Sequence, residues 1–436
     1  MKFVIYITLV TAFIGGATAQ TIEIPRCATP TAIEYQESLT PGYKQLVKNS
    51  FLEAKNHSQN NESKSTPLYT IPVVVHIVHN TPEQNIPDSV IHNQIQILNE
   101  DYGRGNADTM NMRADFDIVK GNPRIHFQLA QIDPDGFPTT GITRTNTSLT
   151  TFGSLAIILG DMSDLERVKS TANGGIDPWD QSRYLNIWVC NMSVGFGGQE
   201  VTALLGYATP PAGLPNWPPG STGSLSDGVV IQYQAFGRNN PNPLDAGAGP
   251  IDVRGRTPVH EVGHYLGLRH IWGDGDCNEQ DGIDDTPNAD AESQQDCDQN
   301  KNTCTDNIQG VDLPDMIENY MDYSAETCQN SFTQGQVDLM HGVLELQRYD
   351  LVHNNPASLN TLTGVKYSVY PNPAEDLINI DGLSNEKVSV INLFGQTVIE
   401  EDNTNELNIT GLSEGTYLLK ISKENGQSEL IRFVKQ

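Results

Sequence analysis

The chain has 436 residues and a formal net charge of −28 at pH 7, because its 54 acidic residues outnumber its 26 basic ones. A surface this acidic repels nucleic acid and anionic membranes, so we expect no nucleic-acid partner. The length exceeds that of one ordinary domain and allows a sizeable hydrophobic core.

The first 20 residues, MKFVIYITLVTAFIGGATAQ, have the layout of a secretory signal peptide. A lysine precedes a short apolar run and an Ala-x-Ala motif ends at Ala19, which predicts a signal peptide over residues 1–19. A first transmembrane helix is the alternative, but the apolar run is short and no other stretch is long and apolar enough to span a bilayer. We therefore expect a secreted protein with no transmembrane segment, in which disulfides can form.

The next segment, residues 20–66, is polar and ends in KNHSQNNESKST, which is typical of a pro-segment with an exposed linker. Residues 67–352 then contain predicted strands and helices and form the predicted main domain of the chain. The predicted elements are strands at 69–79, 124–133, 184–192 and 227–236 and helices at 89–103 and 337–352.

Residues 257–270, TPVHEVGHYLGLRH, concentrate three histidines and one glutamate. Thr257 and Pro258 predict a helix start, with the threonine as the cap and the proline at the first helical position. On this helix His260 and His264 are four residues apart, so both imidazoles project from one face. This spacing supplies two nitrogen ligands for a zinc ion.

The rest of the motif predicts a catalytic rather than a structural metal site. Gly267 can adopt a left-handed conformation that ends the helix, so His270 can return to the same zinc as a third ligand. Three protein ligands leave the fourth position open for water, and Glu261 can take a proton from that water without binding the metal. Unrelated structural histidines are the alternative, and the fixed offsets of the glycine and the third histidine disfavour it.

The pattern HExxHxxGxxH resembles the zinc signature of the metzincin metalloproteases, which also have a methionine-containing turn downstream. The stretch ENYMDYS at 318–324 supplies such a turn. The resemblance implies that Met321 lies beneath the zinc ligands as a hydrophobic base. It also implies that Tyr323 approaches the metal and stabilises the oxyanion. Taken alone, the same stretch would be interpreted as a buried aromatic loop.

The chain resembles the pappalysin family over residues 68 to about 350, through the segments HEVGHYLGLRHIWGDGDC, DGIDDTP and NYMDYSAETC. The resemblance implies a two-lobed α+β domain, with a twisted mixed five-stranded sheet and long helices above and a loop-rich lobe below. It also implies that the strand at 227–236 is the sheet edge and pairs with extended peptide substrate.

A calcium ion is implied in the loop after the zinc motif. Asp281 and Thr286 match the ligand positions of the family, and Asp285 lies close by. Hard oxygen ligands in a glycine-containing loop suit calcium. A solvated acidic loop without a metal is the alternative.

Four cysteines follow the zinc motif, and the sequence alone leaves three pairings open. The resemblance implies the disulfides Cys277–Cys304 and Cys297–Cys328. A closed four-cysteine zinc site is the alternative, but none of the spacings is C-x₂-C. Cys190 lies in an apolar strand, which predicts a buried and inert thiol.

Cys27, in IPRCATP, is similar to the Arg-Cys-Gly pattern of pro-segments in this family, where the thiolate occupies the fourth position on zinc. The resemblance implies that Cys27 is a zymogen switch, although Ala28 replaces the glycine. Family members that cleave before arginine or lysine carry an acidic residue just before the cysteine equivalent to Cys328. Here Thr327 stands in that place and Glu326 precedes it, so this preference is left open.

The last part of the chain differs in character. Residues 353–365 are rich in Asn, Pro, Ser and Gly and predict a linker. Short alternating strands over 366–436 predict an antiparallel β-sandwich. YPNPAEDLINI, GLSEGTYLLKI and the FVKQ ending resemble the C-terminal sorting domain of the type IX secretion system, which implies that secretion machinery as a partner. A sugar-binding sandwich is the alternative.

Together these patterns predict a secreted, monomeric zinc endopeptidase that is made as a latent zymogen and acts on proteins or peptides. A surface binding protein or adhesin with the same fold and no turnover is one rival hypothesis, which the complete motif disfavours. A toxin-like protease with one dedicated target is another, and the sequence does not separate it from the first.

Overall fold

The computed structural model divides into two compact units, one built mainly from residues before 356 and one mainly from residues 356–436. The predicted signal peptide and the predicted linker at 353–365 lie almost wholly outside the described residues. The residues that the structure describes are 4–5, 22–23, 26–60, 67–196, 199–202, 204–212, 226–245, 250–353, 367–371, 373–383, 386–392, 396–402, 404–422 and 428–436.

The larger unit is organised around a mixed sheet whose central strand is β1. Its strands, in chain order, are β1 (Tyr69–His79), β2 (Ile125–Leu129), β3 (Ile142–Asn146), β4 (Leu185–Cys190), β5 (Gly206–Ala208) and β6 (Val229–Gln232). β1 pairs in parallel with β4 on one side, and on the other side with β2 along its first half and β3 along its second half. β4 continues in parallel to β6, and β6 pairs antiparallel with β5.

The α+β prediction is confirmed, and the sheet differs from it in two details. The described sheet has six strands instead of five, because β3 extends the ladder of β1 beyond the end of β2. The prediction that the strand in 227–236 forms the sheet edge was wrong, because β6 is flanked on both sides and β5 forms that edge. Nothing in the alternation of 227–236 distinguishes an interior strand from an edge strand.

Both faces of the sheet are covered, as the continuous burial of β1 requires. Seven helices are present among the described residues, and α3 and α5 pack on one face of the sheet with α6 next to them. Their bounds are α1 Thr29–Leu39, α2 Tyr43–Asn60, α3 Asp88–Tyr102, α4 Ser163–Glu166, α5 Arg256–Tyr265, α6 Gln334–Glu345 and α7 Tyr349–His353. Short 3₁₀ turns occupy Thr109–Asn111, Ala114–Ile118, Leu155–Leu159, Arg167–Lys169, Thr171–Asn173 and Tyr233–Ala235.

The predicted helix at 337–352 is two helices, α6 and α7. The chain breaks at Leu346, which has φ −119° and ψ −84°, and resumes at Tyr349. Between them Arg348 is buried and forms a bidentate ion pair with Asp227. The apolar periodicity of the segment does not reveal this break, because the partner of Arg348 is distant in sequence.

The lower part of the larger unit, from the end of α5 to the start of α6, is loop with little regular structure. Two disulfides close it, Cys277–Cys304 and Cys297–Cys328. The remaining cysteines, Cys27 and Cys190, are free thiols and both are buried.

The smaller unit has two antiparallel sheets around one core, which agrees with the predicted sandwich. The first sheet contains β7 (Ser368–Tyr370), β8 (Leu377–Asp381) and β11 (Glu406–Asn408). The second contains β9 (Lys387–Ile391), β10 (Thr397–Asp402), β12 (Gly415–Ser422) and β13 (Ser428–Lys435). Side chains of both sheets, among them Ile378, Leu419 and Phe433, share the core.

Three short ladders complete the strands. They are Val4–Ile5 with Ile22–Glu23, Val194–Phe196 with Gln199–Val201, and Leu244–Asp245 with Pro250–Ile251. Within the described part of the chain, no helix combines the length and the apolar character that crossing a bilayer requires.

Candidate active site

Helix α5 carries the zinc motif, and its N-terminus is capped from outside the helix. The predicted cap at Thr257 was wrong, because α5 begins at Arg256 after Gly255. Instead, the Glu326 carboxylate accepts hydrogen bonds from the backbone N–H groups of Arg254, Arg256 and Thr257 at 2.5, 3.1 and 2.9 Å. A carboxylate satisfies these free donors and complements the positive end of the helix. Local sequence could not show this cap, because Glu326 lies 70 residues beyond Arg256.

The three histidines of the motif converge on one point. The Nε2 atoms of His260, His264 and His270 lie 3.1–3.2 Å from one another, and all three side chains are buried. Gly267 (φ 94°) turns the chain after α5, and the backbone N–H of Leu268 bonds back to the Gly263 carbonyl at 2.9 Å. This turn brings His270 back beside the two helical histidines, as the motif predicts.

The outer nitrogen of each ring faces a hydrogen-bond acceptor. The partners of Nδ1 are the Tyr320 carbonyl for His260 at 2.7 Å, the Leu268 carbonyl for His264 at 2.9 Å and the Asp274 carboxylate for His270 at 2.5 Å. These acceptors assign the proton of each ring to Nδ1, so that the three Nε2 lone pairs face one another.

This arrangement fits a zinc ion. Burial lowers the pKa of His264 to about 3 and that of His260 well below its ordinary value, so both rings are neutral ligands at physiological pH. Three converging lone pairs need a cation between them. A tetrahedral zinc ion with Zn–N bonds of about 2.0–2.1 Å holds its ligand atoms about 3.3 Å apart. The observed separations of 3.1–3.2 Å match this spacing.

The turn at 318–324 packs under and beside the histidines. Met321 lies against Gly263 of α5, where an added Cβ would be 2.4 Å from the methionine sulfur, so this helix position has no room for a side chain. The Tyr323 ring lies 5.0 Å from the ring of His270, between centroids, and its hydroxyl donates to the Cys27 carbonyl at 3.5 Å.

Glu261 and Cys27 meet at the same centre. Glu261 is 1 % exposed, and burial raises its pKa to about 8. Its Oε2 accepts from the Cys27 thiol at 3.3 Å and from the Thr29 hydroxyl at 3.2 Å. The Cys27 sulfur and the three histidine nitrogens all lie within 4.8 Å of one another, and among the described residues they form the one group able to hold a metal in this way.

The segment that carries Cys27 lies along the sheet edge β5. The backbone N–H of Leu205 donates to the Arg26 carbonyl at 2.8 Å, and the Ala28 N–H donates to the Gly206 carbonyl at 3.0 Å. Cys27 and Gly206 form a parallel bridge. The segment from Arg26 to Thr29 therefore occupies the edge on which an extended peptide could pair.

The predicted calcium ligands lie in one loop and leave free oxygens. Asp281 Oδ1 accepts from the Ile283 N–H at 2.8 Å and Asp285 Oδ2 accepts from the Gly335 N–H at 2.8 Å. The second oxygens, Asp281 Oδ2 and Asp285 Oδ1, are buried and have no hydrogen-bond partner. Thr286 is buried next to them, with its hydroxyl 3.4 Å from that of Thr333.

Several side chains at the site were not singled out from the sequence. Arg26, Thr29, Asp274 and Asp322 all contact or face the residues described above. Arg26 and Thr29 lie close to Cys27 in the sequence, and Asp322 lies inside the methionine turn. Their closeness to these motifs was the one feature of the sequence that could have indicated a role at the site. For Asp274 the signal was a carboxylate four residues after His270.

Comparison with known proteins shows which family this chain resembles. The profile of a family described as pregnancy-associated plasma protein-A, peptidase family M43, matches residues 252–345. Mature mirolysin of Tannerella forsythia, solved in complex with a cleaved peptide, is 40 % identical; the match covers 66 % of this chain and 97 % of that one, with a TM-score of 0.54. A promirolysin mutant from the same organism is 38 % identical over 75 % of this chain and 96 % of that one, with a TM-score of 0.59.

The chain belongs to the pappalysin family of metzincin metalloproteases. Among sequence relatives of this pappalysin, an extracellular metalloprotease of Arthroderma benhamiae is 27 % identical over 67 % of this chain and 78 % of the relative. An extracellular metalloprotease of Coccidioides posadasii is 36 % identical over 32 % of this chain and 44 % of the relative. A secretion-system C-terminal sorting domain matches residues 368–436. The protein is thus a secreted metalloendopeptidase with a type IX sorting tail.

Proposed function

We propose that this pappalysin is made as a latent zymogen of a zinc endopeptidase, in which Glu261 is the general base. The observation that carries the proposal is the four-donor group of Cys27 and the three histidines, all within 4.8 Å. His260, His264 and His270 would hold the zinc, and the Cys27 thiolate would take the fourth position. When bound, zinc supplies a Lewis acid that polarises the scissile carbonyl and lowers the pKa of a coordinated water.

The chain's own residues then move the protons. Once the pro-segment leaves, Glu261 loses its contacts with Cys27 and Thr29 and faces the cleft. It takes a proton from the attacking water and delivers it to the leaving amine. The Tyr323 hydroxyl, which donates to a peptide carbonyl of the pro-segment, is placed to donate to the oxyanion of a substrate.

Latency follows from where the pro-segment docks. It covers the edge strand, engages the general base and places a thiol among the ligand nitrogens. Helix α2, which belongs to the same segment, anchors it to the rest of the larger unit. Phe51 of α2 is buried, and the Arg269 guanidinium carbon lies 4.2 Å from the centroid of the Phe51 ring. Lys55 of the same helix donates to the Gly282 carbonyl at 2.9 Å. The prediction of an exposed linker over residues 55–66 was wrong for its first half, because α2 extends to Asn60, and residues 61–66 lie outside the described residues.

Replacing Cys27 with alanine should release latency in the full-length chain. The variant loses the sulfur that would be the fourth zinc ligand and one of the two side-chain contacts of the segment with Glu261. We therefore expect its initial rate of casein hydrolysis to rise roughly tenfold or more, which corresponds to about 1.4 kcal/mol less stabilisation of the latent form. The rate is measured before any pro-segment is cut, with electrophoresis as the check. Cys190→Ala is the matched control, because it removes the other free thiol. Equal rates for both variants would contradict the switch.

The pro-segment also suggests which side chain the enzyme prefers after the scissile bond. Arg26 is partly buried in a cavity beside His260 that Asp322, Tyr323 and Glu326 also line. Its Nη1 donates to the Tyr323 carbonyl at 3.2 Å. Burial lowers the pKa of Arg26, while the nearby charges of Glu326 and Asp322 act to raise it.

Thr327, the residue that the family pattern places at this pocket, lines a different cavity. Asp322 is 1 % exposed, and its Oδ2 has no hydrogen-bond partner while Oδ1 accepts from the Ser293 N–H at 3.0 Å. The Glu326 carboxylate is used in capping α5. We therefore assign the preference for a basic residue to Asp322, supported by Glu326, in place of Thr327.

A peptide with arginine after the scissile bond should be cleaved roughly tenfold or more faster, as kcat/KM, than the same peptide with alanine. Asp322→Asn should reduce the ratio of the two kcat/KM values, because a neutral amide cannot pair with the guanidinium. The ratio serves as its own control for any general loss of activity. An unchanged ratio in the variant would remove Asp322 from this role.

We also propose a calcium ion at Asp281, Thr286 and Asp285, because two buried carboxylates there each keep an unpaired oxygen. Calcium at a hundredfold excess over its Kd should stabilise the wild-type chain by about 2.7 kcal/mol and raise its Tm. Asp281→Asn should lose most of this shift. Asp284→Asn, whose side chain is 77 % exposed, is the matched control and should keep it. A wild-type Tm that does not respond to calcium would contradict the site.

A further inference from the structure

One of the three predicted zinc ligands differs from the others in its outer partner. His260 and His264 each bond a backbone carbonyl through Nδ1, whereas His270 bonds the Asp274 carboxylate at 2.5 Å. A neutral carbonyl fixes the tautomer of a ring. A carboxylate fixes the tautomer and also increases the electron density on the ligating nitrogen.

The position of Asp274 is built for this contact. Its backbone is left-handed, with φ 61°, a conformation that side-chain-bearing residues seldom adopt and that aspartate tolerates better than most. This turn directs the carboxylate back to His270, four residues earlier. The Asp274 side chain is 45 % exposed, so its carboxylate keeps contact with solvent while it bonds His270.

The plane of the His270 ring is fixed separately, by packing. The indole of Trp272 stacks on it, with ring centroids 4.3 Å apart and 5° between the planes. The Tyr323 ring approaches its edge at 5.0 Å. Because Trp272 and Tyr323 hold the plane of the ring, the contribution of Asp274 can be tested without losing the placement of His270.

We propose that Asp274 is a positioning residue whose ionised carboxylate orients His270 and strengthens its bond to the metal. The proposal rests on the zinc site proposed above and names a residue outside the ligand set. Asp274 touches neither the reacting atoms nor the metal position. Its effect is therefore expected first in metal affinity and in the electronic spectrum of the site.

The test uses the full-length chain, stripped of metal with a chelator, as wild type, Asp274→Asn, Asp274→Ala and Asp276→Asn. The last variant is the matched control, because Asp276 is an exposed carboxylate in the same loop that bonds Asn278. Zinc is titrated against a chromophoric chelator to obtain its Kd. Cobalt is then added, and the visible absorption of the Co²⁺ form is recorded for each protein.

Losing the carboxylate that hydrogen-bonds a metal ligand weakens metal binding about 10–100-fold. We expect this decrease in zinc affinity for Asp274→Ala. Asp274→Asn keeps an acceptor oxygen without the charge and should fall between alanine and wild type. Both variants should shift the cobalt band, whereas Asp276→Asn should match wild type in Kd and spectrum. Equal Tm values of the metal-free proteins would show that the fold is intact.

A wild-type zinc Kd in Asp274→Ala or in Asp274→Asn would overturn the proposal, as would a cobalt spectrum that does not change in either. These results differ from a failure of the zinc site itself. In that case the wild-type chain would bind no zinc, and the Asp274 variants would have nothing to weaken.

Discussion

Replacing Glu261 with glutamine should abolish proteolysis while the chain still binds one zinc ion. Glutamine has the size of glutamate but cannot accept a proton, so the water would have no base and the leaving amine no acid. Removing a general base of this kind costs roughly 10³-fold or more in rate. Glu261 lies beside His260 but supplies none of the three converging nitrogens proposed to hold the zinc, so the zinc content should stay at the wild-type level.

The experiment compares casein hydrolysis and zinc content after removal of the pro-segment. Glu279→Gln is the matched control, because Glu279 is an exposed glutamate of the same lobe and should leave both quantities unchanged. Proteolysis that persists in the Glu261 variant would refute the proposed base. Loss of zinc together with loss of activity would show that Glu261 supports the metal site instead.

Replacing Arg348 with methionine should be the most destabilising single change in the larger unit that this structure suggests. The guanidinium forms a bidentate ion pair with Asp227 at 2.6 and 2.9 Å, and both side chains are at most 5 % exposed. The guanidinium also donates to the Tyr265 carbonyl at the C-terminal end of α5, at 2.9 Å, and its carbon lies 3.3 Å from the Tyr265 ring centroid.

Methionine fills part of the volume but leaves Asp227 buried without its partner. Breaking a buried pair in this way costs about 3–5 kcal/mol. The free energy of unfolding is measured by urea titration with tryptophan fluorescence, which reports the larger unit because residues 356–436 contain no tryptophan. Arg238→Met is the control. It breaks an exposed pair with Glu100 and should cost less than about 1 kcal/mol. Equal losses for the two variants would contradict the argument.

The zinc motif was readable from sequence because all its parts are local. Helical spacing places His260 and His264 on one face, and Gly267 allows the turn that returns His270, so no distant contact is needed to bring the three rings together. The apolar run of strand 69–79 was equally reliable, because its side chains face cores on both sides of the sheet.

The sequence-based interpretation was wrong or silent wherever a partner is distant along the chain. The cap of α5 is Glu326 instead of Thr257, because the Glu326 carboxylate accepts from the backbone N–H groups of Arg256 and Thr257. The sheet edge is β5 instead of the strand in 227–236, because strand order depends on pairing that alternation does not encode. In the same way, the break before Arg348 follows from its distant partner Asp227.

By itself, then, the sequence determined the family, the three converging histidines with their neighbouring glutamate, and the division into an enzyme and a sorting module. All of these depend on short spacings that one helix, one turn or one strand can satisfy. The tertiary structure alone decided what surrounds that centre: the segment from Arg26 to Thr29 on the sheet edge, the cavity that Arg26 shares with Asp322, and the carboxylate that bonds His270. These contacts join segments separated by turns or by hundreds of residues, and packing sets their distances.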